Sequence, residues 1–304
     1  MDDSLYENSV LTKVKEAHQR ALLKPKKAAV AVVDQTCNES VQLPLWPETA
    51  RGVPNGLLRS ALFGVRRKGA AQYLERKPIY AAAGLNILYS GPTLDQFDLS
   101  IWEAVLHASR MQMLGDECRV TAYQLLRLVS LFDSGQNRKI LNARLSRLNA
   151  TALNIQIGNL SYEGSLIDSV YRDQATRQYL IRLNPKLRGL FEKDQWTALD
   201  WQVRQQLAGF PLALWLHGFY SSHAKPFAYS IETLHALCGS ENADLYGFKR
   251  DLRKAFALIA KASEQHQQIF NAEFKQNIVH VTRTPSTSQA KFLKHKFNAN
   301  IATL

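Results

Sequence analysis

Residues 121–152 read TAYQLLRLVSLFDSGQNRKILNARLSRLNATA, and residues 230–262 read SIETLHALCGSENADLYGFKRDLRKAFALIAKA. Each stretch opens on a hydroxyl residue able to cap a short helix: Thr121, with Gln124 completing a capping box, and Ser230. Each then turns, at Asp133-Ser134-Gly135 or at Gly239-Ser240, into a longer helix with a single apolar stripe. The first long helix is expected over 136–152 with the stripe Leu141, Leu145, Leu148, Ala152. The second is expected over 245–262 with Phe248, Leu252, Ala255, Ile259. Both stripes step by four, three and four residues, which is one face of an α-helix. Superposing them places Asn142, Ala143, Ser146 and Arg147 where Lys249, Arg250, Arg253 and Lys254 fall. A short helix, a turn, a helix with a basic outer face and then β-type runs is the order of a winged helix, whose second helix enters the DNA major groove. Its occurrence twice predicts an α+β chain of two tandem winged-helix domains, so that one monomer grips two successive turns of duplex.

Composition allows this. The chain has 304 residues, 46% hydrophobic and 21% charged, which is enough for two cores. Its 38 Lys and Arg against 26 Asp and Glu leave a net charge of +12, an excess that attracts polyanions. No apolar run approaches the roughly 20 residues needed to span a bilayer, and Met1-Asp2-Asp3-Ser4 does not read as a signal peptide. Cys37, Cys118 and Cys238 are an odd number and far apart, which disfavours a disulfide framework and suits a reducing cytoplasm.

The expected organisation is a flexible tail over 1–40, containing one helix at Ser9–Leu23, then a proline-marked linker over 41–53. The first domain follows over 54–188, the second over 189–284, and a mobile tail rich in Ser, Thr, Lys and Asn over 285–304. In the first domain Asn55–Val65 and Leu94–Met111 read as helices and Pro78–Tyr80 with Leu85–Tyr89 as a hairpin. Leu153–Ile157, Ser165–Tyr171 and Tyr179–Leu183 read as a wing with one extra strand. In the second, Thr197–Gln206 and Pro211–Ser222 read as helices, and Gln267–Phe270 with Ile278–Thr282 as the second wing.

The candidate DNA-binding residues follow from this plan. Lys139, Asn142, Arg144, Ser146 and Arg147 are expected on the outer face or edges of the first long helix, and Lys249, Arg250, Arg253 and Lys254 on the second. Arg and Asn can donate two bonds to guanine and adenine, respectively, in the major groove, while Lys and Ser more often hold phosphates. Arg172 and Arg177 flank the first wing turn and Lys275 sits in the second, where a basic tip reaches the neighbouring backbone or minor groove.

Signals for catalysis are weak. There is no Gly-rich phosphate loop ending in Lys-Ser/Thr and no nuclease-like carboxylate cluster. His235 and Cys238 have a ligand-like gap with no second pair to complete a zinc site. The chain is expected to be no enzyme and to hold no metal or cofactor.

Val41-Gln42-Leu43-Pro44-Leu45-Trp46-Pro47 puts large apolar side chains on a proline-stiffened stretch. Its Gln42, Leu43, Leu45 and Trp46 resemble the pentapeptide by which bacterial proteins bind the polymerase sliding clamp, with Trp in place of the usual Phe. The same residues would also serve to staple the linker onto the first domain.

A wider resemblance is carried by Arg51-Gly52-Val53-Pro54-Asn55-Gly56-Leu57-Leu58-Arg59-Ser60-Ala61-Leu62-Phe63, by Arg144–Leu153, by Trp215–Ala224, by Glu232–Ser240 and by Val279-His280-Val281. Together these resemble the TrfA-type plasmid replication initiators over roughly residues 42–283. The resemblance implies a protein that binds direct repeats (iterons) at a plasmid origin, opens the adjacent AT-rich duplex and brings in the host initiator, the replicative helicase and the sliding clamp. It also implies a monomer–dimer equilibrium with the monomer as binder. The same DNA-binding plan would serve a transcriptional regulator on an operator.

Overall fold

The computed structural model describes residues 42–301 apart from 67, 68, 70, 159, 174 and 177. The helix expected at Ser9–Leu23 and the wing residue Arg177 therefore lie outside the described residues. The chain begins with β1 (Ala50–Pro54), α1 (Asn55–Leu58), β2 (Phe63–Gly64), the hairpin β3 (Tyr73–Ile79) and β4 (Leu85–Pro92), and β5 (Leu94–Asp95). A first repeat then runs α2 (Gln96–Ser109), β6 (Glu117–Thr121), α3 (Ala122–Leu128), α4 (Gly135–Asn149), β7 (Ala152–Ile157), β8 (Leu160–Gly164), β9 (Ser169–Asp173) and β10 (Gln178–Arg182). A 3-10 turn (Pro185–Phe191), β11 (Trp196–Asp200) and α5 (Trp201–Gln206) lead into the second repeat. That repeat is α6 (Pro211–Ser221), β12 (Tyr229–Ser230), α7 (Ile231–Leu237), α8 (Leu245–Glu264), β13 (Phe270–Lys275) and β14 (Ile278–Arg283), with α9 (Thr287–Ile301) after it.

The helices start where the caps place them. Thr121 Oγ1 accepts from the Gln124 amide while Gln124 Oε1 accepts from the Thr121 amide. Ser134, Ser230 and Asp244 cap α4, α7 and α8, each worth about 1 kcal/mol. The apolar stripes are buried: Leu141, Leu145 and Leu148 on α4, and Phe248, Leu252, Ala255 and Ile259 on α8. Helix α4 stops sooner than its pattern predicts. Thr151 Oγ1 donates to the Leu148 carbonyl and accepts from the Leu166 amide, so Ala152 belongs to β7.

Strand order repeats as well. In each repeat, the strand that leads into the first short helix pairs with the last hairpin strand, which pairs with the first hairpin strand, giving β6-β10-β9 and β12-β14-β13, all antiparallel. The first wing differs from expectation. β7 leaves it and pairs with β4, and β8 pairs with β7, in a separate sheet, β3-β4-β7-β8, because Leu153 and Ile155 find buried partners in Tyr89 and Ile87 directly opposite. The helix expected over 55–65 lasts only through Leu58, since the following backbone bonds elsewhere: the Ala61 amide to the Tyr80 carbonyl and the Val65 amide to the Cys238 carbonyl. Residues 197–200, expected as helix, are strand β11 because β1 needs an antiparallel partner there.

The tail beyond the family-like region departs from the expected flexibility, and the linker at its other end is packed down. The tail expected to be mobile after Pro285 forms α9, begun by a further capping box in which the Gln289 amide donates to Ser286 Oγ and the Ser286 amide to Gln289 Oε1. Gln289 Nε2 also donates to the Ser221 carbonyl, 2.8 Å away. The linker expected over 41–53 is a strap laid on the fold. Trp46 stacks on Phe191, with ring centroids 6.2 Å apart, and its indole N–H donates to His107 Nδ1 at 3.1 Å. Gly52 is required beneath it, because a Cβ there would come within 2.5 Å of the indole.

Among the described residues two hydrophobic clusters form, one drawing on Leu43 through Leu199 and the other on Val203 through Val281. They are tied together by the Trp215 indole donating to the Ser60 carbonyl at 3.1 Å, by Arg59 donating to Ser222 Oγ at 2.9 Å, and by a buried ion pair, Glu103–Arg204.

Candidate nucleic-acid interface

The outer face of α8 is basic and open. Arg250, Arg253 and Lys254 are exposed, as is Lys261 two turns on. Arg250 has only a loose contact with Asp251, at 3.9 Å, and Arg253 lies over the Phe274 ring, 5.1 Å from its centroid. Lys249 behaves differently. Its Nζ donates to the Gln276 carbonyl at 2.9 Å and to Asn277 Oδ1 at 3.2 Å, so it braces the hairpin turn against the helix. Lys275 is exposed in that hairpin, 3.4 Å from Glu273.

Helix α4 does not match the expectation of a second basic face. Arg144 and Arg147, expected to project outward, turn against the start of α2. Arg144 Nη1 lies 2.6 Å from Asp95 Oδ2 and 3.0 Å from Asp98 Oδ1, and Arg147 Nη2 lies 2.8 Å from Asp98 Oδ2. The cause is local. Asp95 and Asp98 form the capping box of α2, Asp98 is fully buried, and a buried carboxylate needs a cation. Residues three apart on α4 share one edge and supply two. Past its first turn, α4 shows to solvent Arg138, which is paired with Asp133 at 2.6 Å, Lys139, Ala143, Ser146 and Asn149, with Asn142 half-buried. Asn142 Oδ1 accepts from the Tyr179 hydroxyl, which fixes its amide. Arg172 crosses this face from β9, donating to Ser146 Oγ and to the Asn142 carbonyl, both at 3.2 Å. The sequence placed Arg172 at a wing tip and gave no sign of its contact with α4, nor of the support from Tyr179.

Burial, with Asp95 alongside, pushes the Asp98 carboxyl up from 3.8 to about 6 despite both guanidiniums. The folded chain thus holds this proton more tightly than the unfolded one. The stability it contributes is complete below pH 4 and is lost as pH rises through 6. Relative to the parent, Asp98→Asn should therefore gain about 2–3 kcal/mol between pH 4 and pH 7. Urea midpoints at the two pH values measure this, and a difference that stays constant with pH would show that Asp98 is ionised throughout.

The clamp-like residues are mostly unavailable. Leu43 and Trp46 are 2% and 5% exposed, Gln42 Nε2 donates to the Arg110 carbonyl at 3.2 Å, and Leu45 alone faces solvent at 62%. Of the two readings of Gln42–Trp46, this is the staple: the aromatic pocket formed by Phe191 and Trp196 has taken up the anchor.

Elsewhere, His235 spends Nε2 on the Asn242 carbonyl at 2.7 Å, and Cys238 is buried behind it. Among the described residues, no three His, Cys, Asp or Glu side chains gather as a metal site, and no helix is long and apolar enough to cross a membrane.

The family described as TrfA protein matches residues 6–283. The chain belongs to the TrfA family. Its matched region ends with β14, so α9 lies beyond it. Within the TrfA family, the plasmid replication initiator protein TrfA of Escherichia coli is 28% identical over 256 residues, covering 80% of this chain and 64% of that protein. The present chain therefore spans just under two thirds of that relative's length. Among solved structures, a crystal structure of domains 2 and 3 of RctB superposes with a TM-score of 0.51 at 11% identity, over 76% of this chain and 96% of that one. At that identity the likeness is one of fold.

Proposed function

We propose that this TrfA-family chain is a plasmid replication initiator that binds iteron repeats through two tandem winged-helix units, with α4 and α8 as the helices that approach the major groove. The observation that carries the reading is the twofold recurrence of one topology: strand, short helix, turn, long helix and hairpin, interrupted in the first repeat by β7 and β8, with the leading strand paired to the last hairpin strand both times. The family membership and the name of the E. coli relative support the replicative role. Two such units held in one chain by cross-cluster hydrogen bonds and an ion pair suit direct repeats, because the spacing between reading helices is then built into the monomer. The role is binding, not catalysis, in a cytoplasm where the plasmid resides. Recruitment of the host initiator, the helicase and the sliding clamp, and a monomer–dimer equilibrium, belong to the same proposal. Clamp binding through Gln42, Leu43, Leu45 and Trp46 would first require the strap to leave its groove.

Footprinting on the plasmid DNA around the gene tests this. The expected result is protection of tandem direct repeats about two helical turns long. Equal protection of repeat-free duplex would overturn it.

A further inference from the structure

The two hairpins can be aligned without reference to side chains. Thr121 and Ser230 cap the first short helix of each repeat and pair with Gln178 and Ile278. One step along, Tyr179 and Val279 correspond, and their partners on the first hairpin strand are Arg172 and Phe274. Arg172 and Phe274 therefore occupy one position. The buried stripes of α4 and α8 independently equate Ser146 with Arg253. In both repeats these two positions touch: Arg172 donates to Ser146 Oγ at 3.2 Å, and Arg253 lies over the Phe274 ring at 5.1 Å. The arginine has changed sides. It comes from the strand in the first repeat and from the helix in the second, yet the guanidinium lies where the second helix meets the hairpin in both.

The platforms beneath it differ. Arg172 rests on Ser146, on the Asn142 carbonyl and near the Tyr179 ring, whose centroid is 6.0 Å away. Arg253 rests on Phe274 at the edge of a cleft of about 440 Å³ lined by Ala257, Ala260 and Ala272. Neither guanidinium has a carboxylate within 4.0 Å among the described residues, and both are exposed. A cation placed twice by different means, and neutralised by nothing in the fold, is held for an outside acceptor. Arginine's planar fork suits a pair of acceptors, such as O6 and N7 of guanine or two phosphate oxygens.

We propose that the junction of second helix and first hairpin strand is a DNA-contacting station in each repeat, and that Arg172 does for the first repeat what Arg253 does for the second. This rests on the DNA-binding reading above. The test uses the full chain and duplexes it selects from a randomised pool. Arg172→Phe and Arg253→Ser should each weaken binding roughly tenfold. The transposed variant Arg172→Phe/Ser146→Arg, which installs the second repeat's arrangement in the first, should return to within about threefold of the parent. Thermal melts check folding, and Arg172→Gln serves if the Phe variant melts early. A loss confined to selected duplexes identifies a base as the acceptor. A loss shared with random duplex, with the log–log salt slope shallower by about one, identifies phosphate. Either supports the proposal. If both single variants bind like the parent, or the transposed variant stays as weak as Arg172→Phe, the equivalence is wrong. Selection of no sequence by the parent would overturn the DNA-binding reading itself, and this inference with it.

Discussion

Glu103→Ala is expected to remove about 3–5 kcal/mol of unfolding free energy. Glu103 lies on α2 and Arg204 on α5, so the pair joins the first repeat to the helix that leads into the second, and neither residue is open to water: Glu103 is 0% and Arg204 2% exposed. The contact is two-pronged, Arg204 Nε to Oε2 at 3.1 Å and Nη2 to Oε1 at 3.0 Å, and Nη1 donates to the Leu214 carbonyl at 3.2 Å. Burial raises the Glu103 carboxyl, while Arg204 and Arg51 pull it back. Deleting the carboxylate leaves the Arg204 guanidinium buried with one carbonyl for company. That penalty exceeds what the pair itself contributes over an apolar filling, since two ions had to be desolvated to make it. Glu103→Met/Arg204→Leu should accordingly recover most of the loss. Urea denaturation at pH 7 decides both points. A loss under 1 kcal/mol for Glu103→Ala would mean water reaches the site, and a double variant no better than the single would assign the loss to packing.

The helix periodicities and caps were legible in the sequence because they are local: α4, α7 and α8 begin at residues whose side chains bond amides two or three positions away. The charged face of α8 was legible for the same reason. Arg144 and Arg147 were not, because their carboxylate partners lie about fifty residues upstream in a different element, and a helix pattern only distinguishes apolar from polar, not solvated cation from neutralised cation. For Trp46 the sequence left two readings, clamp anchor or staple, for a similar reason. An aromatic in a proline-rich stretch looks unanchored until the ring of Phe191 and the imidazole of His107 are brought against it. Strand partners are set by long-range burial, so β7 was recognised as a strand but assigned to the wrong sheet. The Ser286-x-x-Gln289 capping box was present in the sequence and was hidden by the polar composition around it.

Replacing Arg250, Arg253 and Lys254 together by alanine is expected to reduce affinity for selected duplex roughly a hundredfold to a thousandfold near 0.15 M salt, and to flatten the log–log salt dependence by about 2.7. The reasoning is that all three are exposed on α8 and none is consumed by a close ion pair. Each is thus available to displace about one condensed counterion from DNA. Arg144→Ala/Arg147→Ala removes two cations from the matching helix of the first repeat, but those cations are already neutralised by Asp95 and Asp98. That variant should leave the salt slope within about 0.5 of the parent and should instead lower the melting temperature, because Asp98 is left buried without a cation. Fluorescence anisotropy titrations at several salt concentrations separate the two cases. If both variants flatten the slope alike, Arg144 and Arg147 must leave their carboxylates when DNA arrives, and the cluster at the start of α2 is then a latch that DNA opens, not a fixed brace for α4.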